Sequence, residues 1–127
     1  MTNVLNDLSN ADALAQAFAL LGQPARLLIV LAIGEERACV CHLEAVLGLR
    51  QAYISQQLMQ LRAAGLVETK RVGRHIFYRL ADPRWLGLIR QAAELKQVQL
   101  PQIALPEVDG CTYTPVVNPE SLRGTYD

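Results

Sequence analysis

The spacing of apolar residues changes along the chain, and each change marks an element. Over residues 5–21, Leu14, Ala17, Phe18 and Leu21 recur at helical spacing until Gly22 interrupts the stripe. Pro24 suits the first turn of a second helix that runs to about Ile33, where Gly34 ends it. A short link over residues 35–38 leads into a third helix over roughly residues 41–47, closed by Gly48. In the next segment, RQAYISQQLMQLRAAGLV, Ile54, Leu58 and Leu61 fall at i, i+4 and i+7 and define one buried face. Gln51, Ser55, Gln56 and Arg62 fall away from that stripe, and Gly65 serves as the C-terminal cap. The period then drops to two. Ile76, Tyr78 and Leu80 alternate with His75, Phe77 and Arg79, which predicts a β-hairpin with its turn near residues 72–74. Asp82-Pro83 starts a last helix, in which Trp85, Leu88, Ile89, Ala92 and Leu95 form a stripe reaching about Val98.

This order, α-α-α-α-β-β-α, predicts a mainly α fold with a small β-hairpin. A short helix, a glycine turn and a polar-faced helix form a helix-turn-helix, and the basic hairpin after it makes the fold a winged helix-turn-helix. The stripe of the last helix is wide and rich in small residues; it suits a partner helix in a homodimer or packing on its own domain. The expected organisation is a DNA-binding and dimerisation domain over residues 1–100 and an extended tail over residues 101–127. Pro101, Pro106, Pro115 and Pro119 exclude a long helix from that tail.

Composition narrows the classes. With 127 residues, 51% of them hydrophobic, the chain builds one modest core and gains by pairing with a copy of itself. Its longest apolar run, residues 27–33, falls far short of the roughly 18–20 residues that span a bilayer, and no basic start precedes Asp7 and Asp12. No membrane partner and no secretory signal are expected. Three cysteines, an odd count, fit free thiols in a reducing cytoplasm better than a secreted disulfide scaffold. Net charge is zero, but its distribution is uneven. Between Gly48 and Leu80, Arg50, Arg62, Lys70, Arg71, Arg74 and Arg79 face the single acid Glu68. A basic third set in an acidic remainder is the footprint of a polyanion-binding surface.

The segments LGQPARLLIVLAI, CVCHL, ISQQLMQLRAAGLVETKRVGRHIFYRL and ADPRWLGLI together resemble the ArsR/SmtB family of metal- and metalloid-responsive repressors, over about residues 12–98. The resemblance implies a homodimer built on the first and last helices and bound to an inverted repeat in double-stranded operator DNA. In such a protein Gln51, Ser55 and Gln56 are placed to reach base edges in the major groove. Arg50, Lys70, Arg71 and Arg74 are placed for phosphate contacts, which fix register and carry little sequence information. Gln56 and Gln57 read equally well as plain surface amides. Many relatives begin this helix with Ser or Thr; Arg50 stands there in this chain, so a side-chain cap is expected to be missing.

Cys39 and Cys41 sit where the third helix begins. Alternate residues share a side of an extended chain but not of a helix, so the pair converges on one ion only if Cys39 lies at or before the first turn. A helix N-terminus also favours thiolate over thiol. The family's thiol-rich site carries the same CVC pair, and the resemblance implies that Cys39 and Cys41 are ligands. Arsenic sensors of this type often carry a third cysteine three residues on, where this chain has Glu44. Cys111 is the candidate substitute: the eleven residues from Leu100 extend over about 35 Å at full stretch.

Three thiolates without a firm fourth ligand suit trivalent arsenic or antimony as inducer, as the resemblance implies; cadmium or lead also tolerate such a site. Zinc prefers a closed tetrahedral set, and His42, which follows Cys41 directly, is expected to point elsewhere. The family's other zinc site, on the last helix, lacks its histidines here, and His75 reads as a surface or phosphate-facing wing residue. No organic cofactor is expected. Other family members sense persulfides or oxidants through a disulfide, which here would join Cys39 or Cys41 to Cys111. An enzyme is disfavoured: no phosphate-cradling glycine loop, general base or α/β cleft pattern accompanies the thiols.

Overall fold

The computed structural model describes residues 4–106. Its elements are α1 (Val4–Leu21), α2 (Pro24–Ile33), β1 (Arg37–Cys39), α3 (Val40–Leu47), α4 (Gln51–Ala63), β2 (Val67–Val72), β3 (His75–Leu80) and α5 (Arg84–Lys96). The predicted helices and hairpin are present. The order differs by one strand: β1 stands where the sequence suggests only a link. It pairs antiparallel with β3 and completes a three-stranded sheet of order β1-β3-β2. Three residues carry too little periodicity to announce a strand, and it is pairing with β3 that makes residues 37–39 extended.

The core is where the helical stripes meet. Ile29, Val30 and Ile33 of α2, Leu43 of α3, and Ile54, Leu58 and Leu61 of α4 are fully buried together, with Val67 and Leu80 of the hairpin beneath them. Ile54, Leu58 and Leu61 hold the buried face of α4 that their spacing implies. The hairpin departs from strict alternation. Phe77 and Leu80 are buried, whereas Ile76 is exposed and Tyr78 half-buried. The hairpin turns through Gly73, whose φ of 62° is the left-handed conformation that a two-residue loop asks of its first position.

A buried ionic group fixes α4 against α2. Arg26 is 7% exposed; its Nε donates to Gln57 Oε1 at 2.7 Å, its Nη1 to the Leu20 carbonyl at 3.2 Å and its Nη2 to Gln60 Oε1. Gln57, readable from sequence as a surface amide, is therefore a buried acceptor three residues after Ile54. Burying a guanidinium is costly unless its donors are satisfied, and these three acceptors satisfy it. Arg26→Met leaves Gln57 Oε1 without its donor and is expected to cost about 1–3 kcal/mol, read as a lowered midpoint in urea denaturation at unchanged slope.

At the far end, Asp82 accepts the Arg84 backbone N–H at 2.9 Å and pairs with its guanidinium at 2.7 Å, which starts α5. The Arg84 side-chain hydrogen bond, joined by the backbone one, holds the Asp82 carboxyl below its ordinary range. The helix stops at Lys96, two residues short of the expected end, where Gln97 turns left-handed at φ 55°. Beyond it Leu100, Ile103 and Leu105 pack against the core, so the start of the tail is docked. No single helix among the described residues is long and apolar enough to cross a membrane.

Candidate metal centre and nucleic-acid interface

Cys39 ends β1 and is at the same time the N-cap residue of α3, with φ −92° and ψ 168°. This is the extended backbone at the helix mouth that convergence of a CxC pair requires. Cys39 is buried and Cys41 half-buried, their Cα atoms are 5.4 Å apart, and their sulfurs are joined as a disulfide. The separation lies within the ordinary range for such a bridge. The redox alternative in the sequence pairs either thiol with Cys111; here they pair with each other. Cys111 lies outside the described residues.

His42 does not point away, as the sequence suggests. The fully buried ring packs below Cys39, its Nδ1 accepting the Cys39 backbone N–H at 3.1 Å and lying 3.2 Å from Cys39 Sγ. Residue 42 is the N3 position of α3, and a side chain reaching back from N3 to the N-cap amide is half of a capping box. An accepting Nδ1 carries no proton, so the neutral ring is protonated at Nε2. The reason for the difference is the cap: the first turn of α3 needs an acceptor for its amide, and His42 supplies it. Phe77, directly opposite Cys39 in the sheet, closes the other side, with the Arg37 guanidinium stacked 4.5 Å from its ring centre. His75, read from sequence as a wing residue, comes to the thiols: one ring nitrogen and both sulfurs lie within 4.8 Å of one another. No signal for this exists without β1, because it is the β1–β3 pairing that sets the turn end of β3 beside the mouth of α3.

Eight residues after Cys39, α3 ends at Leu47, and Gly48 turns the chain into α4 with φ 66°. Arg50 is the N-cap of α4 and makes no side-chain cap, as expected from the absence of Ser or Thr. Gln56 is exposed on the side of α4 away from Ile54, Leu58 and Leu61, and Ser55 is half-exposed on its flank. Gln51 is exposed at the first turn, at the N-terminal end of the Ile54 stripe rather than away from it. On the wing, Arg71 and Arg74 are exposed beside the turn and Lys70 is half-exposed. Arg79 is engaged by Glu68, its cross-strand neighbour, at 3.1 Å, which removes the one acid of the basic third from the wing tip. The structure thus gathers Arg50, Gln51, Ser55 and Gln56 on α4, Lys70, Arg71 and Arg74 on the wing, and the Cys39–Cys41 pair at the helix that feeds α4.

A winged helix-turn-helix with exposed amides on its second helix, a cationic wing and a thiol pair one helix upstream defines a regulator of the DNA-binding class. The bacterial regulatory protein arsR family profile matches residues 23–69. The chain is 35% identical over 92 residues to the arsenic resistance transcriptional regulator ArsR1 of Pseudomonas putida, covering 69% of this chain and 72% of that one. It is 37% identical over 87 residues to a transcriptional repressor SmtB homolog of Synechocystis, covering 68% and 66%. The solved structure of the transcriptional repressor BigR from Xylella fastidiosa superposes with a TM-score of 0.65 at 32% identity, over 77% of this chain and all of that one. The chain belongs to the ArsR family. It spans 59% to 66% of the length of the first curated relatives it matches. Those relatives are named as transcriptional repressors, not enzymes, in agreement with the expectation from sequence.

Proposed function

We propose that this protein is a homodimeric transcriptional repressor released from operator DNA when a soft metal or metalloid binds the Cys39–Cys41 pair. The observation that carries the reading is the continuity of the chain. The thiols cap α3, and α3 leads through Gly48 straight into the polar-faced helix α4. A ligand that reorganises the mouth of α3 acts on the element that faces DNA.

In this reading α4 enters the major groove, with Gln51, Ser55 and Gln56 on base edges and Arg50, Lys70, Arg71 and Arg74 on phosphates. The homodimer is supported by the apolar side chains that α1 and α5 leave exposed on neighbouring faces: Leu14 and Phe18, one turn apart on α1, and Leu88 and Leu95, two turns apart on α5, with Phe18 and Leu88 lining one apolar hollow. Single exposed apolar residues are ordinary, but pairs of them on adjoining faces of two helices are surface that a partner copy covers. Two such recognition helices related by a twofold axis ask for an inverted repeat in the operator. For the inducer, a dithiolate with Cys111 as third sulfur suits trivalent arsenic or antimony, and cadmium or lead are the divalent alternatives.

The test is selection of duplexes from a random pool by the reduced protein, then anisotropy titration against the selected and a scrambled sequence. An inverted repeat bound at least about a thousandfold more tightly than the scramble is expected; equal binding sinks the reading. On the same assay, Arg71→Ala is expected to weaken selected and scrambled DNA alike and to reduce the slope of log affinity against log salt by about 1.

The disulfide favours a second reading, a thiol-redox repressor. A peroxide would take up two electrons and the two thiol protons, leaving water and the Cys39–Cys41 bridge. Operator release by peroxide in the absence of any metal, reversed by a dithiol, distinguishes it from the first.

A further inference from the structure

The sheet explains why a wing histidine reaches the thiols. β1 and β3 run antiparallel with Arg37 opposite Arg79, Ala38 opposite Tyr78 and Cys39 opposite Phe77. The pairing ends at Cys39, where the chain turns into α3. Residues two apart in extended chain share a face, so Phe77 and His75 of β3 lie on the face that carries Cys39. The first turn of α3 brings Cys41 back to the same place, both sulfurs and one His75 ring nitrogen lying within 4.8 Å of one another. Phe77 and Cys39 are its buried floor, and Cys41 and His75 form a half-exposed rim open to ions from solvent.

We propose that the reduced Cys39–Cys41 pair and His75 form a three-ligand site for a thiophilic divalent cation of the zinc and cadmium type, which ties the wing to the start of α3. The proposal rests on the reading of the thiol pair as the effector site and adds to it a ligand and an ion class. Two thiolates cancel the charge of a divalent ion, and a neutral imidazole adds a donor that closed-shell ions of this group accept readily. Trivalent arsenic, by contrast, is served by sulfur. In a tetrahedral site of sulfur and nitrogen ligands the donors stand roughly 3.3–3.8 Å apart. The 4.8 Å cluster needs only side-chain rotation to meet that, once a thiol or phosphine reductant has delivered two electrons and two protons to the bridge. Binding then returns the two thiol protons to solvent.

The site has a consequence for DNA binding. His75 pairs with Val72 at the base of the hairpin turn, and Lys70, Arg71 and Arg74 surround that turn. An ion held by His75 and α3 fixes the cationic tip relative to the helix that feeds α4. The effector then acts on phosphate contacts as well as on the recognition helix.

The experiment uses the tag-free full chain, reduced with a phosphine and kept anaerobic, titrated with cadmium. Expected are a near-ultraviolet thiolate-to-cadmium absorption, a shell of two sulfurs and one imidazole nitrogen by X-ray absorption, and a displaced ring signal from one of the two histidines in 15N spectra. His75→Gln, at a half-exposed position, is expected to keep its circular dichroism and both sulfurs, lose the nitrogen and bind at least about tenfold more weakly. A sulfur-only shell in the wild type, or unchanged affinity in His75→Gln, overturns the role of His75 and leaves the thiol site standing. Absence of the thiolate absorption in the wild type removes the underlying reading as well.

Discussion

Replacing Cys41 with serine is expected to leave operator affinity in the absence of effector within about threefold of wild type, while abolishing effector-driven release. Serine keeps the shape of cysteine, and Cys41 is half-buried at the first turn of α3, outside the interlocked core. The DNA-facing side of α4 is therefore untouched. What is lost is the second thiolate. The donors left to Cys39, Cys111 or His75, no longer include the neighbouring thiolate that lets the mouth of α3 chelate a soft ion, so the ion no longer distinguishes the two states of the protein. Ligand-linked switches typically carry coupling of about 1–3 kcal/mol, or 5- to 150-fold in affinity, and the variant should show none of it. Anisotropy titrations of both proteins with arsenite and with cadmium read the effect directly. Release of Cys41→Ser at wild-type effector concentrations would place the effector elsewhere.

Leu58→Ala is expected to destabilise the fold by about 2–5 kcal/mol, the usual cost of a buried leucine truncation when the cavity collapses only in part. Leu58 is fully buried on the inner face of α4, among the apolar side chains of the core. At the scale of a domain of about 100 residues this lowers the melting temperature on the order of 10 °C or more, at matched protein concentration since a dimer's stability depends on it. The adjacent Met59 is 69% exposed, and Met59→Ala is expected to change stability by less than about 0.5 kcal/mol. Thermal scans of the two variants side by side check the assignment of faces. A comparable loss in both would mean that the inner and outer sides of α4 are misassigned.

The contrast between those neighbours shows what the chain makes legible. Ile54, Leu58 and Leu61 announce the buried face of α4 by spacing alone, and Gly48, Gly65 and Gly73 mark the ends of elements because few other residues turn there. The thiols are legible as a pair because Cys39 stands just ahead of the helical pattern, where the chain is still extended. Gln57 is harder to place: its polarity hides the fact that it completes the Ile54 face, and only Arg26, thirty-one residues earlier, explains a buried amide there. His75 is harder still. Its approach to Cys41 depends on a three-residue strand with no periodicity of its own, whose extended form comes from pairing with β3. Local spacing carries the helices and the hairpin; contacts between distant segments carry the buried Arg26–Gln57 contact and the third side chain at the thiol site.

The central claim is that the mouth of α3 and the DNA-facing side of α4 are coupled. It is tested most directly by measuring the affinity of the reduced wild-type protein for its selected operator, with and without saturating arsenite or cadmium. Linkage requires that whatever weakens DNA binding be weakened in return by DNA, so the effector's affinity for free and operator-bound protein must differ by the same factor. A decrease of about 5- to 150-fold in both directions is expected. Equal operator affinity with and without bound effector would contradict it.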